Sequence, residues 1–561
     1  MRKTLLTVLL GASLLAPSAA VAQVAVKITP AERRAAEAIT AQQLSTYLHF
    51  VASDAMGGRD TPSQGLDITA EFIRMNLERW GFKPAGDNGS FFQKIALTRD
   101  VVDPSATKVS LGGQNFAFGE DIVRFSGNGT GAINAPVVFA GNGWMIKSKN
   151  LDPYAGLDVK GKLIAVISEG QPSNRFPVPM PQGVTGADIP AAGRGTDWAD
   201  PVSYAQANGA AGVLILPSKF LTEGWSFVTQ AFGRSRLTVD KLRRETVSST
   251  PRPTTSVYVA SPKFTNALFA GEQGNPLSGY NTSFALGSGK TISLNIANKT
   301  ETQWTQNVVA LWEGRDPNLK NEMVAIGAHY DHVGTNPNAP GEDKIWNGAD
   351  DDGSGTVAVL SIAEALAESK VRPKRSVLFV WHAGEEKGLW GAEYFNKFPT
   401  VNVKNVIAQL NIDMIGRSLD PNNVIKCDAP GKRCNEELSK ANEIYVIGSE
   451  MMSSTLGAIT KGTNNAYLKM DYNYKYDDPK DPNRFFFRSD HFHYAQNGIP
   501  ITFWFDGVHE DYHQPSDTAD KIDYQKMEKV ARTIFLTMWE LTDLKERPKI
   551  DKQLPAELTQ R

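Results

Sequence analysis

The feature that most constrains this chain is a transition that recurs along it. A short apolar run ends, and within a few residues an imidazole or a carboxylate follows. The segments are GAHYDHVG (327–334), GADDDGSG (348–355), HAGEEKG (382–388), NIDMIG (411–416) and DYHQPSD (511–517). A solvated surface scatters its charge, whereas here metal-grade donors sit at the ends of strand-like runs again and again. Ligands of α/β sheets gather outside the carboxyl ends of the strands, so the pattern predicts a metal site built across a sheet.

The runs also predict the fold class. Val324 to Ala328, Ser376 to Trp381, Ala408 to Ile412 and Ile501 to Phe505 read as strands. Ser354 to Ser369 and Tyr524 to Leu541 read as helices. Earlier in the chain, Ile68, Phe72, Met75 and Trp80 stand near helical spacing over Asp67 to Trp80, with Gly81 as the stop. This alternation argues an α/β fold with a mixed central sheet and helices on both faces. Between residues 123 and 292 the texture differs. Gly, Pro and Ser are frequent, and the runs APVVFAG, KLIAVIS, GVLILP and TTSVYVA are β-like, so a separate β-rich domain is expected there, with a long loop from about Gly170 to Asp200. A chain of 561 residues is too long for one ordinary domain.

Composition narrows the function classes. A formal net charge of −2 offers no basic footprint for nucleic acid. Arg2 and Lys3, an apolar stretch from Leu5 to Leu15 and Ala20-Val21-Ala22 form a secretion signal over residues 1–22, with Gln23 starting the mature chain. The competing reading is an uncleaved anchor. No later stretch is long and apolar enough to span a bilayer, so the mature chain is expected to be periplasmic or extracellular without a membrane span. Cys427 and Cys434 flank a short loop with Pro430 and Gly431. In an exported protein they read as a disulfide, the alternative being a thiolate metal site, which would need more Cys.

Each cluster alone has a plainer reading. His329 with Asp331 two residues on could be a surface turn, or a ligand with its orienting carboxylate. One Asp suffices to cap the helix after Gly353; three adjacent carboxylates at Asp350, Asp351 and Asp352 repel unless a cation neutralises them. Glu385 and Glu386 could be solvated, or one could bind metal while the other faces substrate as a base. Asp413, in an apolar context, needs a partner, either Arg417 or a metal. His513 and Tyr512 could belong to a polar loop. Taken together, His329, Asp351, Glu386, Asp413 and His513 are five N and O donors. That is too many for one catalytic Zn²⁺ with an open position, and it fits two ions if a carboxylate bridges them. Zn²⁺ suits the set, with Mn²⁺ or Co²⁺ as possible substitutes.

At these residues the chain resembles the secreted bacterial di-zinc aminopeptidases, whose relatives include glutamate carboxypeptidase and the transferrin receptor ectodomain. The resemblance implies a zinc exopeptidase-like fold, formed by residues 23–122 and 293–548, with a short tail at 549–561. DPYAGLDVKGK and GAAGVLIL imply a protease-associated domain inserted at 123–292. Carried over residue by residue, Asp351 is the bridging ligand, with His329 and Asp413 on one zinc and Glu386 and His513 on the other. Glu385 is the general base, Asp331 orients His329, and Tyr512 stabilises the tetrahedral intermediate. A cis peptide is implied between Asp351 and Asp352, with Asp352, Asp490 and His491 supporting the site from outside. Peptides are the implied substrates. Glutamate-carboxypeptidase-like or dipeptidase activity is the alternative, for which Arg417, Arg484 or Arg488 could bind a substrate carboxylate. A one-zinc glutaminyl cyclase would not need both His329 and Asp413, and an inactive receptor-like ectodomain would lack ligands.

Overall fold

The computed structural model describes residues 26–103, 105–126, 132–167, 178–226, 228–229, 237–242, 255–427 and 433–559. The secretion signal and its cleavage site, and the first part of the long loop expected from Gly170, lie outside the described residues. The chain forms two compact units, one from Ala96 to Gln303 and one from the segments that end at Ile95 and begin at Trp304.

The second of these carries a mixed sheet. Seven of its ten strands, in chain order, are β1 (Asn298–Trp312), β2 (Met323–His329), β3 (Ser376–His382), β4 (Val406–Ile412), β5 (Glu443–Ile447), β6 (Asp471–Asn473) and β7 (Ile501–Phe505). Their order across the sheet is β1-β3-β2-β4-β7-β5-β6. The pairs β3/β2, β2/β4 and β4/β7 are parallel, while β1/β3 and β7/β5 are antiparallel. The four neighbours β3, β2, β4 and β7 therefore point their carboxyl ends the same way. Their near-continuous apolar character follows from burial on both faces.

Side chains alternate across the sheet because the strand period is two. Val324, Ile326 and Ala328 enter one core, with α1 (Ala41–Val51), α2 (Gln64–Arg79), α3 (Gly355–Glu368) and α6 (Tyr524–Asp543). Met323 and Ala325 enter the other, with α4 (Trp390–Lys397) and α5 (His491–Gln496). Helices thus cover both faces, as the alternation of runs predicts. α3 is buried along most of its length, from Gly355 to Leu366, so truncating Leu360 or Ile362 to Ala would cost about 2–5 kcal/mol. Its start is tied to the acidic loop: the Gly355 N–H donates to Asp352 Oδ1 at 2.8 Å. A Cβ on Gly355 would lie 2.4 Å from that oxygen and from the Ile412 carbonyl, so only glycine lets the helix pack this close to β4.

In the other unit, four parallel strands form the centre of a second sheet: Ala132–Phe139, Leu163–Ile167, Gly212–Leu216 and Val257–Ala260. These are the four β-like runs of the sequence. Ile122–Ser126 and Thr291–Asn295 pair antiparallel at either side, and Lys108–Leu111 extends the sheet. The outer strands carry the second sheet beyond the texture change at 123 and 292, and the unit boundaries fall further out, at Ile95/Ala96 and Gln303/Trp304. Cys427 and Cys434 are disulfide-bonded, with Cα atoms 5.2 Å apart, which excludes them as thiolate ligands. Among the described residues no helix is long and apolar enough to cross a membrane.

Candidate metal centre

His329 is the last residue of β2, Asp413 directly follows β4, Glu385 and Glu386 follow β3, and His513 lies in the segment after β7. The carboxyl ends of four adjacent parallel strands so bring together donors that are up to 184 positions apart in the chain (His329 to His513). Asp351 comes from the loop between β2 and α3, and its peptide bond to Asp352 is cis.

The donors fall into two groups that share Asp351. Asp351 Oδ1 is 3.3 Å from His329 Nε2, and that nitrogen is 3.6 Å from Asp413 Oδ1. Asp351 Oδ2 is 3.0 Å from His513 Nε2, which is 3.1 Å from Glu386 Oε1. The two oxygens of one carboxylate thus face different partners, the geometry a bridging ligand requires. Glu385 Oε2 is 4.0 Å from His329 Nε2, and the residue also lines the adjoining pocket.

The supporting contacts differ in detail from the expectation. His329 Nδ1 is 3.1 Å from the Asp331 carbonyl oxygen, whereas the Asp331 carboxylate stands 3.7 Å away, too far for a hydrogen bond. That carboxylate is engaged elsewhere, accepting from Thr61 Oγ1 at 3.0 Å and from the Glu385 N–H at 3.1 Å. Asp331 therefore orients His329 through its backbone and anchors the Glu385 turn through its side chain. With a proton on Nδ1, Nε2 of His329 presents its lone pair to the donor group. Asp352 Oδ1 accepts from the Gly355 and Met414 N–H groups, a bracing role. Asp490 Oδ2 is 3.3 Å from His382 Nδ1 at the end of β3. His491 stacks on Phe503 at 4.5 Å, behind the pocket wall, and burial pushes its pKa down to about 3, so the ring is neutral.

Arg417 is not the partner of Asp413. Its guanidinium reaches Asp511 Oδ2 at 3.0 Å and His509 Nδ1 at 3.2 Å, because the chain turns after Met414 and carries it to the far side of the acidic loop. Arg484 lies over the Phe487 ring. Of the three arginines, Arg488 alone lines the pocket, donating to the Tyr512 hydroxyl at 3.2 Å. Tyr512 in turn stacks on His513, with ring centroids 4.0 Å apart. The pocket has a volume of about 250 Å³. Its polar lining includes Asp351, Glu385, Glu386 and Asp413, and its apolar lining includes Phe485, Phe503, Phe505 and Val508.

The electrostatics ask for a cation. Among the described residues, no lysine or arginine forms an ion pair with Asp351, Glu385, Glu386 or Asp413. Burial, followed by the charges of Glu386 and Asp413, holds Glu385 well above the usual carboxylate range, though His329 opposes this. Burial and Asp351 likewise raise Asp413. Burial works against a proton on His513, but Asp351 and Glu386 override it and lift the imidazole to about 10. Protons alone balance the cluster, and divalent ions would do so without neutralising the carboxylates. The buried atoms Glu386 Oε1 and His513 Nε2 make no hydrogen bond within the protein despite their closeness. The N and O donor set fits Zn²⁺.

The reading of the sequence missed His332 and Arg59. Both are fully buried, and His332 Nδ1 stands 2.8 Å from Glu386 Oε1. The signal for His332 was the second imidazole of HYDH; Arg59 carried none.

Residues 307–538 match the family model described as Peptidase family M28. Leucine aminopeptidase 2 of Arthroderma otae is 34% identical over 140 residues, 25% of this chain and 25% of that protein. A probable leucine aminopeptidase 2 of Aspergillus oryzae is 32% identical over 220 residues, 39% of this chain and 37% of that protein. The matches span between a quarter and little more than a third of these two relatives. The solved aminopeptidase from Aneurinibacillus sp. strain AM-1 is 16% identical, with 93% of this chain and 97% of that chain covered at a TM-score of 0.45. All the donors described above fall inside residues 307–538, the segment that is similar to the Peptidase family M28 model.

Proposed function

We propose that this protein is an exported di-zinc aminopeptidase that removes N-terminal residues from peptides. The observation that carries this reading is the shared Asp351, whose two oxygens face separate donor groups beside a small pocket with aromatic walls. His329, Asp351 and Asp413 would hold one zinc, and Asp351, Glu386 and His513 the other. The secretion signal and the disulfide support export. The inserted unit is read as a protease-associated domain without a catalytic part.

The pocket favours an exopeptidase. A volume of about 250 Å³ takes little more than one side chain. Phe485, Phe505 and Val508 beside the proposed ligands suit an apolar side chain. When bound, the ions would supply Lewis acidity, lowering the pKa of an attacking water and polarising the scissile carbonyl. Glu385 takes the water's proton at a carboxylate oxygen and passes it to the departing amine. Tyr512 is kept protonated by burial and by Asp351, and its hydroxyl donates to the carbonyl oxygen as charge builds there. The hydrogen bond from Arg488 strengthens that donation.

The test is hydrolysis of aminoacyl p-nitroanilides before and after full chelation. Activity that returns with zinc is expected; activity that survives metal removal overturns the reading. Arg488 at the pocket is the one observation favouring a carboxypeptidase, since it could bind a substrate carboxylate. A peptide-library digest read from both ends separates the two, with loss of residues from the N-terminus expected.

A further inference from the structure

His332 takes no part in the five-donor set, yet it is among the most confined side chains of the site. It is fully buried, and neither ring nitrogen makes a hydrogen bond. A buried imidazole left in this state is costly unless a further partner completes it. Its Nδ1 lies 2.8 Å from Glu386 Oε1 and 3.7 Å from Asp351 Oδ2, the same two oxygens that His513 Nε2 approaches at 3.1 and 3.0 Å. Metal–ligand bonds of about 2.0–2.1 Å at a tetrahedral zinc place the ligand atoms about 3.3 Å apart. The separations here bracket that value. The rings of His332 and His513 meet edge-on, at 77°, so they converge on the oxygens and do not stack.

The surroundings seat this ring. The His332 N–H donates to the Arg59 carbonyl at 3.1 Å, and the buried Arg59 guanidinium donates to the carbonyls of Tyr330, Asn347 and Gly348. Gly348 has a φ of 56°, and a Cβ there would lie 2.5 Å from His332 Cγ. The ring therefore occupies a slot that only glycine leaves open.

We propose that His332 Nδ1 is a direct ligand, so that one of the two ions is held by His332, Asp351, Glu386 and His513. This rests on the di-metal reading above and adds an asymmetry to it. Four protein donors make the His332 site closed, in the manner of structural zinc sites, whereas the His329–Asp413 site keeps room for water and substrate. The ion at His332 should then be the tighter and slower to leave.

The test uses the full mature chain, stripped of metal and titrated with Zn²⁺ against a chromophoric chelator. A parallel sample is loaded with Co²⁺ for proton NMR. The wild type should show two affinities and three hyperfine-shifted imidazole N–H signals. His332→Ser should weaken the tighter site more than tenfold, leave the other unchanged and remove one signal. His332→Asn, which fills the slot better, should do the same if the Ser variant fails to fold. Two imidazole signals in the wild type, or unchanged affinities in a folded variant, would overturn the proposal while leaving the di-metal reading intact. A wild type that takes up no second ion would overturn both.

Discussion

Asp350 and Asp351 are neighbours in one loop, both buried, and they anchor two different polar clusters. Around Asp350 the protein supplies its own counter-charges. Oδ1 accepts from the Gly416 N–H at 2.7 Å, Oδ2 is 3.2 Å from His509 Nε2, and Arg417 links His509 to Asp511. Asp517 accepts from the N–H groups of Asp350 and Asp351, and Lys521 and Ser516 complete Asp511. Burial tends to raise the pKa of Asp350, but His509 and Arg417 hold it below the usual carboxylate range. Around Asp351, among the described residues, no Lys or Arg forms an ion pair; against its burial, His329 and His513 hold Asp351 well below the usual carboxylate range, while Glu385 and Asp413 are shifted upward. Equal burial and similar residue types thus come with different counter-charges, a guanidinium on one side and imidazoles alone on the other. A cluster closed by Arg and backbone amides braces the fold; a cluster that lacks them is built for ions.

The strongest way to break this comparison is Glu385→Gln, which removes the base and leaves the proposed donors untouched. The expected result is a loss of kcat of about 10²–10⁴-fold with both ions retained. Full turnover in that variant would remove Glu385 from the mechanism. Next in size is metal removal. Each ion present at about a thousand times its Kd should stabilise the fold by roughly 4 kcal/mol, so urea unfolding with chelator should show a much lower midpoint. An unchanged midpoint would mean that the Asp351 cluster needs no ions. Arg417→Met attacks the other side. It removes the guanidinium between His509 and Asp511 in a buried setting, at a cost of up to about 3–5 kcal/mol, and zinc should not restore it. A loss below about 1 kcal/mol would show the brace to be dispensable.

A milder case sharpens the contrast. Glu540 on α6 is half-buried near Glu32 and Asp543, and among the described residues no Lys or Arg forms an ion pair with it. Burial first, then those charges, push its pKa from 4.5 up to about 7. A folded-state pKa raised in this way favours folding at pH below 4.5, a contribution lost as pH rises through about 7. Stability measured from pH 5 to 8 should therefore fall less in Glu540→Gln than in the wild type. Identical slopes would remove Glu540 as the source.

Much of the fold was legible in the residues, and so was the placement of the proposed donors at strand ends. The parallel strands announced themselves as apolar runs because they are buried on both faces, and the donors stood at their ends. Asp331 was legible as a support, though its backbone carbonyl is what meets His329. The partner of Asp413 was not legible: Arg417 is four positions away, and only the turn after Met414 carries it to Asp511. His332 was passed over because a second imidazole after a strand is as much at home in a surface turn, and its burial depends on Arg59 and Gly348 from other segments.

By itself, then, the order of residues determined the α/β class, the strand ends and the kinds of atoms available to a metal. These are local matters, settled by periodicity and by the residue types at the end of each run. Only the tertiary structure decided that the two oxygens of Asp351 face different partners, that Asp350 next to it meets His509 and the Gly416 N–H, and that His332 points inward. Those outcomes depend on distances of 3–4 Å between residues far apart in the chain, and on where counter-charges come to rest once water is excluded.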